Sequence, residues 1–255
     1  MTKIEWTNAT WSPVTGCTPI SPGCANCYAR RMATRLAGRC GYDRGHPFRI
    51  THHEDRYDEP LHWRKPRMIF VCSMGDLFHE DVPIGCQLGV YETISDDAAQ
   101  HHTFQILTKR PQNMADFHHH NVVGVLPNLW LGVTSENQPC ADERIPILLD
   151  IPAAVRFVSL EPCLSRIDLT PWLHRPRLDW VIAGAETGPR RRWCDTRWVA
   201  DIVEQCRAVE VPVFVKALHV HDGKGRPQVV KDINHISNQL GYAPEDLRQC
   251  PKGST

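Results

Sequence analysis

The sequence predicts an α/β fold, specifically a partial or full parallel β/α barrel, and three observations carry that prediction. Short apolar runs rich in β-branched residues recur from residue 68 onward at intervals of about 25 to 35 residues. Helix-like stretches lie between several of these runs, as repeated β/α units feeding a parallel sheet require. Most of the runs end in polar or charged residues, and in a β/α barrel those C-terminal strand ends converge on one face.

The runs read as strands are MIFVCS (68–73), TFQILT (103–108), LWLGVT (129–134), VRFVSL (155–160), LDWVIAG (178–184) and VPVFVK (211–216), with an opening strand near ATWSPV (9–14). Helices are expected at 84–99, at 141–150 and most clearly at 196–209, where Trp198, Ile202 and Cys206 recur every four residues beside Val199 and Val203. Right-handed crossovers would close the sheet around a filled interior. At 255 residues the chain has the length of one such domain, read here as a barrel over 1–217 and a C-terminal extension over 218–255. Residues 39–66 form a long polar insertion with His46, His52, His53, His62 and Trp63, expected to cover one end of the barrel. After Lys216 the chain turns Gly-, His- and Lys-rich, a short helix is expected near 230–240, and the last dozen residues read as disordered.

Lys plus Arg equals Asp plus Glu at 29 each, so no overall positive field announces a nucleic-acid partner, although local patches remain open. The start, MTKIEWTNATW, lacks an apolar core of signal-peptide length, and no stretch approaches the roughly 20 apolar residues of a membrane span. A cytoplasmic protein without a membrane partner is expected. Eleven cysteines in such a chain argue for metal binding and core packing rather than a disulfide framework, with Cys72 and Cys206 expected in the core.

The segment GCTPISPGCANCYARRM places Cys17, Cys24 and Cys27 with six and then two residues between them, directly before an amphipathic helix bearing Ala29, Met32, Ala33 and Leu36. Soft thiolates select zinc or an iron–sulfur cluster. Structural zinc takes four protein ligands, which Cys40 or a histidine of the insertion would complete, whereas a four-iron cluster on three cysteines leaves one iron open to a small molecule.

The blocks IEWTNATWSPVTGCTPISPGCANCYARRMA, SMGDLFHEDVP, LTKRP, LWLGVTSEN, RFVSLEP, DWVIAGAETGP and VPVFVK, spread from about residue 3 to residue 216, resemble a phage and bacterial three-cysteine family of unknown function. That family is similar to the spore photoproduct lyase branch of the radical S-adenosylmethionine (SAM) superfamily. The spacing of six, the position of Tyr28 after the last cysteine, GAETG in place of a GGESG-like block, and the tail after Lys216 depart from the commoner pattern.

The resemblance implies a 4Fe-4S cluster on Cys17, Cys24 and Cys27, S-adenosyl-L-methionine as cofactor, and a SAM pocket along the strand ends. Ser73, Gly75 and Asp76 would contact the SAM amino group, and Thr134, Glu136 and Asn137 the ribose hydroxyls or methionine carboxylate, unless they only cap a loop. Lys109 and Arg110 would bind the SAM carboxylate or a substrate phosphate, or lie at the surface. Glu186, Glu161 and Lys216 are the candidate catalytic residues at the barrel mouth, and Arg190, Arg191, Arg192 and Trp193 would clamp a nucleic-acid backbone or form a solvated loop. The expected substrate is a nucleic-acid base or nucleotide in a phage thymidine or DNA modification pathway, isomerised or cleaved, with an electron donor and a partner protein outside the chain. A zinc-stabilised nucleic-acid-binding protein without catalysis, and a radical SAM enzyme acting on a peptide or small molecule, stay open as alternatives.

Overall fold

The computed structural model describes residues 4–121, 124–174 and 177–251. Among the described residues ten strands are formed: β1 (Ala9–Trp11), β2 (Val14–Thr15), β3 (Thr51–His52), β4 (Met68–Val71), β5 (Thr103–Thr108), β6 (Leu129–Thr134), β7 (Val155–Leu160), β8 (Trp180–Gly184), β9 (Val213–His221) and β10 (Pro227–Val230). The helices are α1 (Tyr28–Leu36), α2 (Ile84–Ser95), α3 (Pro111–His120), α4 (Gln138–Asp150), α5 (Thr196–Arg207), α6 (Ile233–Leu240) and α7 (Pro244–Leu247). Eight strands form the main sheet in the order β1-β4-β5-β6-β7-β8-β9-β10, while β2 and β3 pair separately.

This is a mixed α/β fold with a mostly parallel sheet. A fully closed barrel is not what forms: β1 and β10 end the strand order, and β10 runs antiparallel to β9. The reason is local. The strand expected to stop at 216 continues to His221, and the chain turns through Asp222–Arg226, where the Asp222 carboxylate accepts from the Lys224 and Arg226 amides, to pair back on itself.

The chain divides into two compact units, one built from residues up to 132 with 151–154, the other from 133–150 with 155–253. In the first, β1 pairs parallel with β4 and β4 with β5, and Trp11, Ile69, Phe104 and Ile106 are buried. The insertion is stitched onto β1 and β2: the Trp11 indole donates to the Arg56 carbonyl at 2.7 Å, and Thr15 Oγ1 and His53 Nε2 share a 2.9 Å hydrogen bond. In the second unit β7, β8 and β9 pair in parallel, and α5 lays Val199, Ile202, Val203 and Cys206 into the core, while Trp198, which leads the same periodic pattern, stays half-buried. Residues 244–251, expected to be disordered, are tied down instead. The Trp180 indole donates to the Gln249 carbonyl at 2.8 Å and the Gln249 amide to Val213. Residues 252–255 lie outside the described residues. No helix among the described residues is long and apolar enough to cross a membrane.

One core contact makes the first unit acid-sensitive. His118, 4% exposed, has Nε2 hydrogen-bonded to the Tyr91 hydroxyl at 2.8 Å, and burial lowers its pKa from the ordinary 6.5 to about 4. Between those two pH values the unfolded chain takes up a proton that the folded chain refuses. The stabilising contribution of neutral His118 is therefore complete above about pH 6.5 and is lost progressively toward pH 4. Between pH 7 and 5 the native protein is expected to lose about 2 kcal/mol more stability than His118→Gln, read from urea midpoints. Parallel pH profiles for the two proteins would show that His118 does not carry the effect.

Candidate functional site

The cysteine loop leaves β2 at Gly16 and enters α1 at Cys27. Gly16 adopts φ +89°, and its amide donates to the Met74 carbonyl at 3.0 Å while the Cys17 amide donates to Phe48 at 3.3 Å. A Cβ on Gly75 would stand 2.9 Å from the Gly16 carbonyl oxygen, so the bare backbone at 75 is what lets the segment after β4 lie against the loop. Tyr28 donates its hydroxyl to the Ser73 carbonyl from the other side. Gly75 and Ser73 thus stand beside the cysteines, and the contacts they make there are with the loop itself.

Cys17, Cys24 and Cys27 are free thiols, each partly exposed, while most of the other eight are buried. Burial and then the Asp76 charge push the Cys17 thiol up to about 11, against the pull of Arg110. Burial also raises Cys24, but backbone hydrogen bonds at Ile20 and Ser21 and the charge of Lys109 outweigh it and hold this thiol below its ordinary value. Lys109 therefore acts on the cysteine loop through its charge.

Arg110 is the keystone of this cluster, although the sequence offered it only as an anion binder or a surface cation. It is 7% exposed, and its guanidinium donates to Glu80 at 2.6 Å, to Thr18 Oγ1 at 2.9 Å, to Asp76 at 3.4 Å and to Cys17 Sγ at 3.4 Å. Asp76 in turn accepts from Thr108 Oγ1 at 2.7 Å, from the Phe78 amide at 3.1 Å and from the Lys109 amide at 3.3 Å. Its carboxylate is thus committed to holding Arg110 and the ends of β4 and β5. His79 completes the arrangement, with Nε2 2.7 Å from Thr18 Oγ1 and a pKa lowered by burial and then by Arg110. Thr18, His79 and Glu80 were not singled out by sequence reasoning. SMGDLFHE does place His79 and Glu80 just beyond Asp76, which is the one signal that pointed to them.

The donor set suits a soft metal or an iron–sulfur group: three thiols on one short loop, none in a disulfide, with Arg110 and Lys109 to offset thiolate charge. Among the described residues no three His, Cys, Asp or Glu side chains are already gathered to hold a metal ion. That holds for the three cysteines with or without Cys40 or an insertion histidine, and His53 is committed to Thr15.

The second unit carries the remaining candidates. Glu136 is fully buried and bonded to Arg144 at 3.1 Å, Arg144 also donates to the Thr134 carbonyl at 2.7 Å, and Asn137 Oδ1 accepts from the Cys140 amide at 3.0 Å. These contacts brace the end of β6 against α4. Glu161 and Lys216 form a partly buried ion pair at 2.5 Å. Glu186 is gripped by Arg192 through Nη2 at 2.6 Å and accepts the Arg192 amide at 2.7 Å, while its carbonyl lies 2.9 Å from His219 Nε2. Trp193 stacks on His221 with centroids 4.5 Å apart and is 42% exposed. Of the three consecutive arginines, Arg192 is thus turned inward onto Glu186. Cys163 and Cys194 are both buried, and the neighbouring Cys194 thiol holds Cys163 below its ordinary value, a pairing no spacing rule signals.

Residues 1–235 match a family described as a protein of unknown function (DUF5131), and the chain belongs to that family. No curated protein and no solved structure matches it.

Proposed function

We propose that this protein is a radical SAM enzyme built on an incomplete β/α barrel, and that Cys17, Cys24 and Cys27 hold a 4Fe-4S cluster. One observation carries the reading: three free, partly exposed thiols share a single loop whose base is clamped by the buried Arg110 through Cys17 and Thr18. A loop meant only to be stapled needs four protein ligands, and three invite a small molecule at the fourth position. Such a cluster, reduced by an external one-electron donor and bound to SAM, would supply the electron for reductive cleavage of the sulfonium C–S bond.

The chain's own residues supply position and charge. Arg110 and Lys109 offset the negative charge of the thiolates, and Asp76 fixes Arg110 in place. Gly75 brings the backbone after β4 close to the loop, leaving Ser73 and the neighbouring amides to contact SAM. In the second unit Lys216 donates to Glu161 in a partly buried ion pair, suited to orienting a substrate amine or hydroxyl. Arg192 is spent on Glu186, and Trp193, stacked on His221, stays 42% exposed. An exposed tryptophan beside Arg190 and Arg191 is suited to stacking on a base, which supports a nucleic-acid base or nucleotide as substrate.

The test is anaerobic reconstitution followed by incubation with dithionite and SAM. The native protein is expected to form 5′-deoxyadenosine and Cys24→Ala none above background. Equal deoxyadenosine from the two, or none from either with a full complement of iron, would refute the assignment.

A further inference from the structure

Helix α1 buries its small side chains and leaves two large ones in water. Its buried residues are the small Ala29 and Ala33, while the large Tyr28 and Met32 are 48% and 41% exposed. The sequence predicts the opposite for Met32, since it falls in an apolar pattern with both alanines. The alanines let the helix lie close to the rest of its unit, and the cost is an apolar stripe left in water. Tyr28, Arg31, Met32 and Arg35 sit at i, i+3, i+4 and i+7, so they form one outward face. Ile20, 46% exposed on the cysteine loop, precedes that helix. Three of the seven large apolar side chains exposed among the described residues therefore lie between positions 20 and 32.

The stretch of chain that carries this face is strongly basic. From 17 to 49 the chain carries six arginines, at 30, 31, 35, 39, 44 and 49, against the single acid Asp43, although the whole chain is balanced at 29 to 29. Asp43 is spent on Arg49 at 3.8 Å. Arg31 and Arg35 have no ion-pair partner among the described residues. Arginine, tyrosine and methionine around an apolar centre, with lysine absent, is the composition of a protein-binding patch rather than of a phosphate-binding track, where aliphatic side chains have nothing to contact.

We infer that the outward face of α1, with Ile20, is the docking surface for a small acidic one-electron carrier protein that reduces the centre on the cysteine loop. The inference rests on the proposed function for its purpose, since a redox centre bonded to Cys24 and Cys27 lies at the foot of this helix. It rests on the surface itself for its partner: a carrier with a negative rim and a partly apolar contact area complements arginines around Tyr28 and Met32. Electrostatic steering by Arg31 and Arg35 would speed encounter and make it salt-dependent.

The experiment compares the native protein with Arg31→Glu/Arg35→Glu and with Met32→Asp, using reduced flavodoxin as the probe. In calorimetric titrations of the metal-free proteins with flavodoxin, both variants are expected to bind roughly tenfold more weakly or worse, and native binding to weaken as salt rises. In the reconstituted proteins, flavodoxin-driven deoxyadenosine formation should fall in step, while the dithionite-driven rate stays at the native level. Circular dichroism of the variants checks that they fold. Native flavodoxin affinity in the variants overturns the docking surface, whatever the enzyme does. Loss of binding to a short DNA duplex with flavodoxin binding intact also overturns it and assigns the face to nucleic acid. Absence of dithionite-driven turnover in the native protein refutes the enzyme reading instead, and the metal-free titration still decides whether the surface binds the carrier.

Discussion

Asp76→Ala is expected to destabilise the protein by about 3–5 kcal/mol, because it removes one member of a buried ion pair and strands the other. Asp76 is 5% exposed and Arg110 7%. Without the carboxylate, Thr108 Oγ1 and the Phe78 amide lose their acceptor, and Arg110 keeps only Glu80, whose side chain is 56% exposed, as an anionic partner. Because Arg110 also holds Cys17 and Thr18, the effect reaches the cysteine loop: alkylation of Cys17 should speed up in the variant. Glu80→Gln, which removes a solvent-screened partner, should cost no more than about 1 kcal/mol. Denaturant unfolding of the two variants checks the ranking, and an Asp76→Ala loss no larger than that of Glu80→Gln would remove Asp76 from the centre of the network.

Gly16→Ala is expected to cost about 3 kcal/mol or more, from two independent sources. Gly16 sits at φ +89°, where an L side chain is strained, and its Cβ would fall 2.0 Å from the Arg49 carbonyl oxygen. Backbone cannot yield as a flexible side-chain tip does, so either the insertion or the cysteine loop must move. The variant should therefore bind less iron than the native protein as well as melt earlier. Gly85→Ala is the matching control. Nothing stands within 4 Å of its Cβ, and it lies in the first turn of α2, so it should be neutral or stabilise by up to about 1 kcal/mol. Similar melting curves for Gly16→Ala and Gly85→Ala would contradict the geometry of the loop.

The strands were legible because their burial is written in runs: 103–108, 129–134 and 155–160 form as read, and Cys72 and Cys206 are core residues. Helix α3 was not legible, since PQNMADFHHH is His-rich and only Met114, Ala115 and Phe117 supply an apolar face alongside Pro111 and the desolvated His118. The site divides the same way. The three cysteines announce themselves by spacing on one loop, whereas the commitment of Asp76 to Arg110 joins residues 34 positions apart and cannot be seen until β4 and β5 pair. Glu136 illustrates the same limit. A glutamate after an apolar run reads as a ligand, and its complete burial against Arg144 depends on α4 folding back over β6. On α1 the periodic pattern turns Ala29 and Ala33 inward as expected and half-buries Leu36, and only Met32 of that set stays exposed, because it lies at the edge of the apolar face next to Tyr28.

What the three cysteines hold decides between an iron–sulfur enzyme and a zinc-stapled loop. Protein purified and reconstituted without oxygen should contain about four irons and four sulfides per chain, and its reduced cluster should change its electron paramagnetic resonance spectrum when SAM is added, as an open iron requires. One zinc per chain, with neither iron nor sulfide retained, would contradict it.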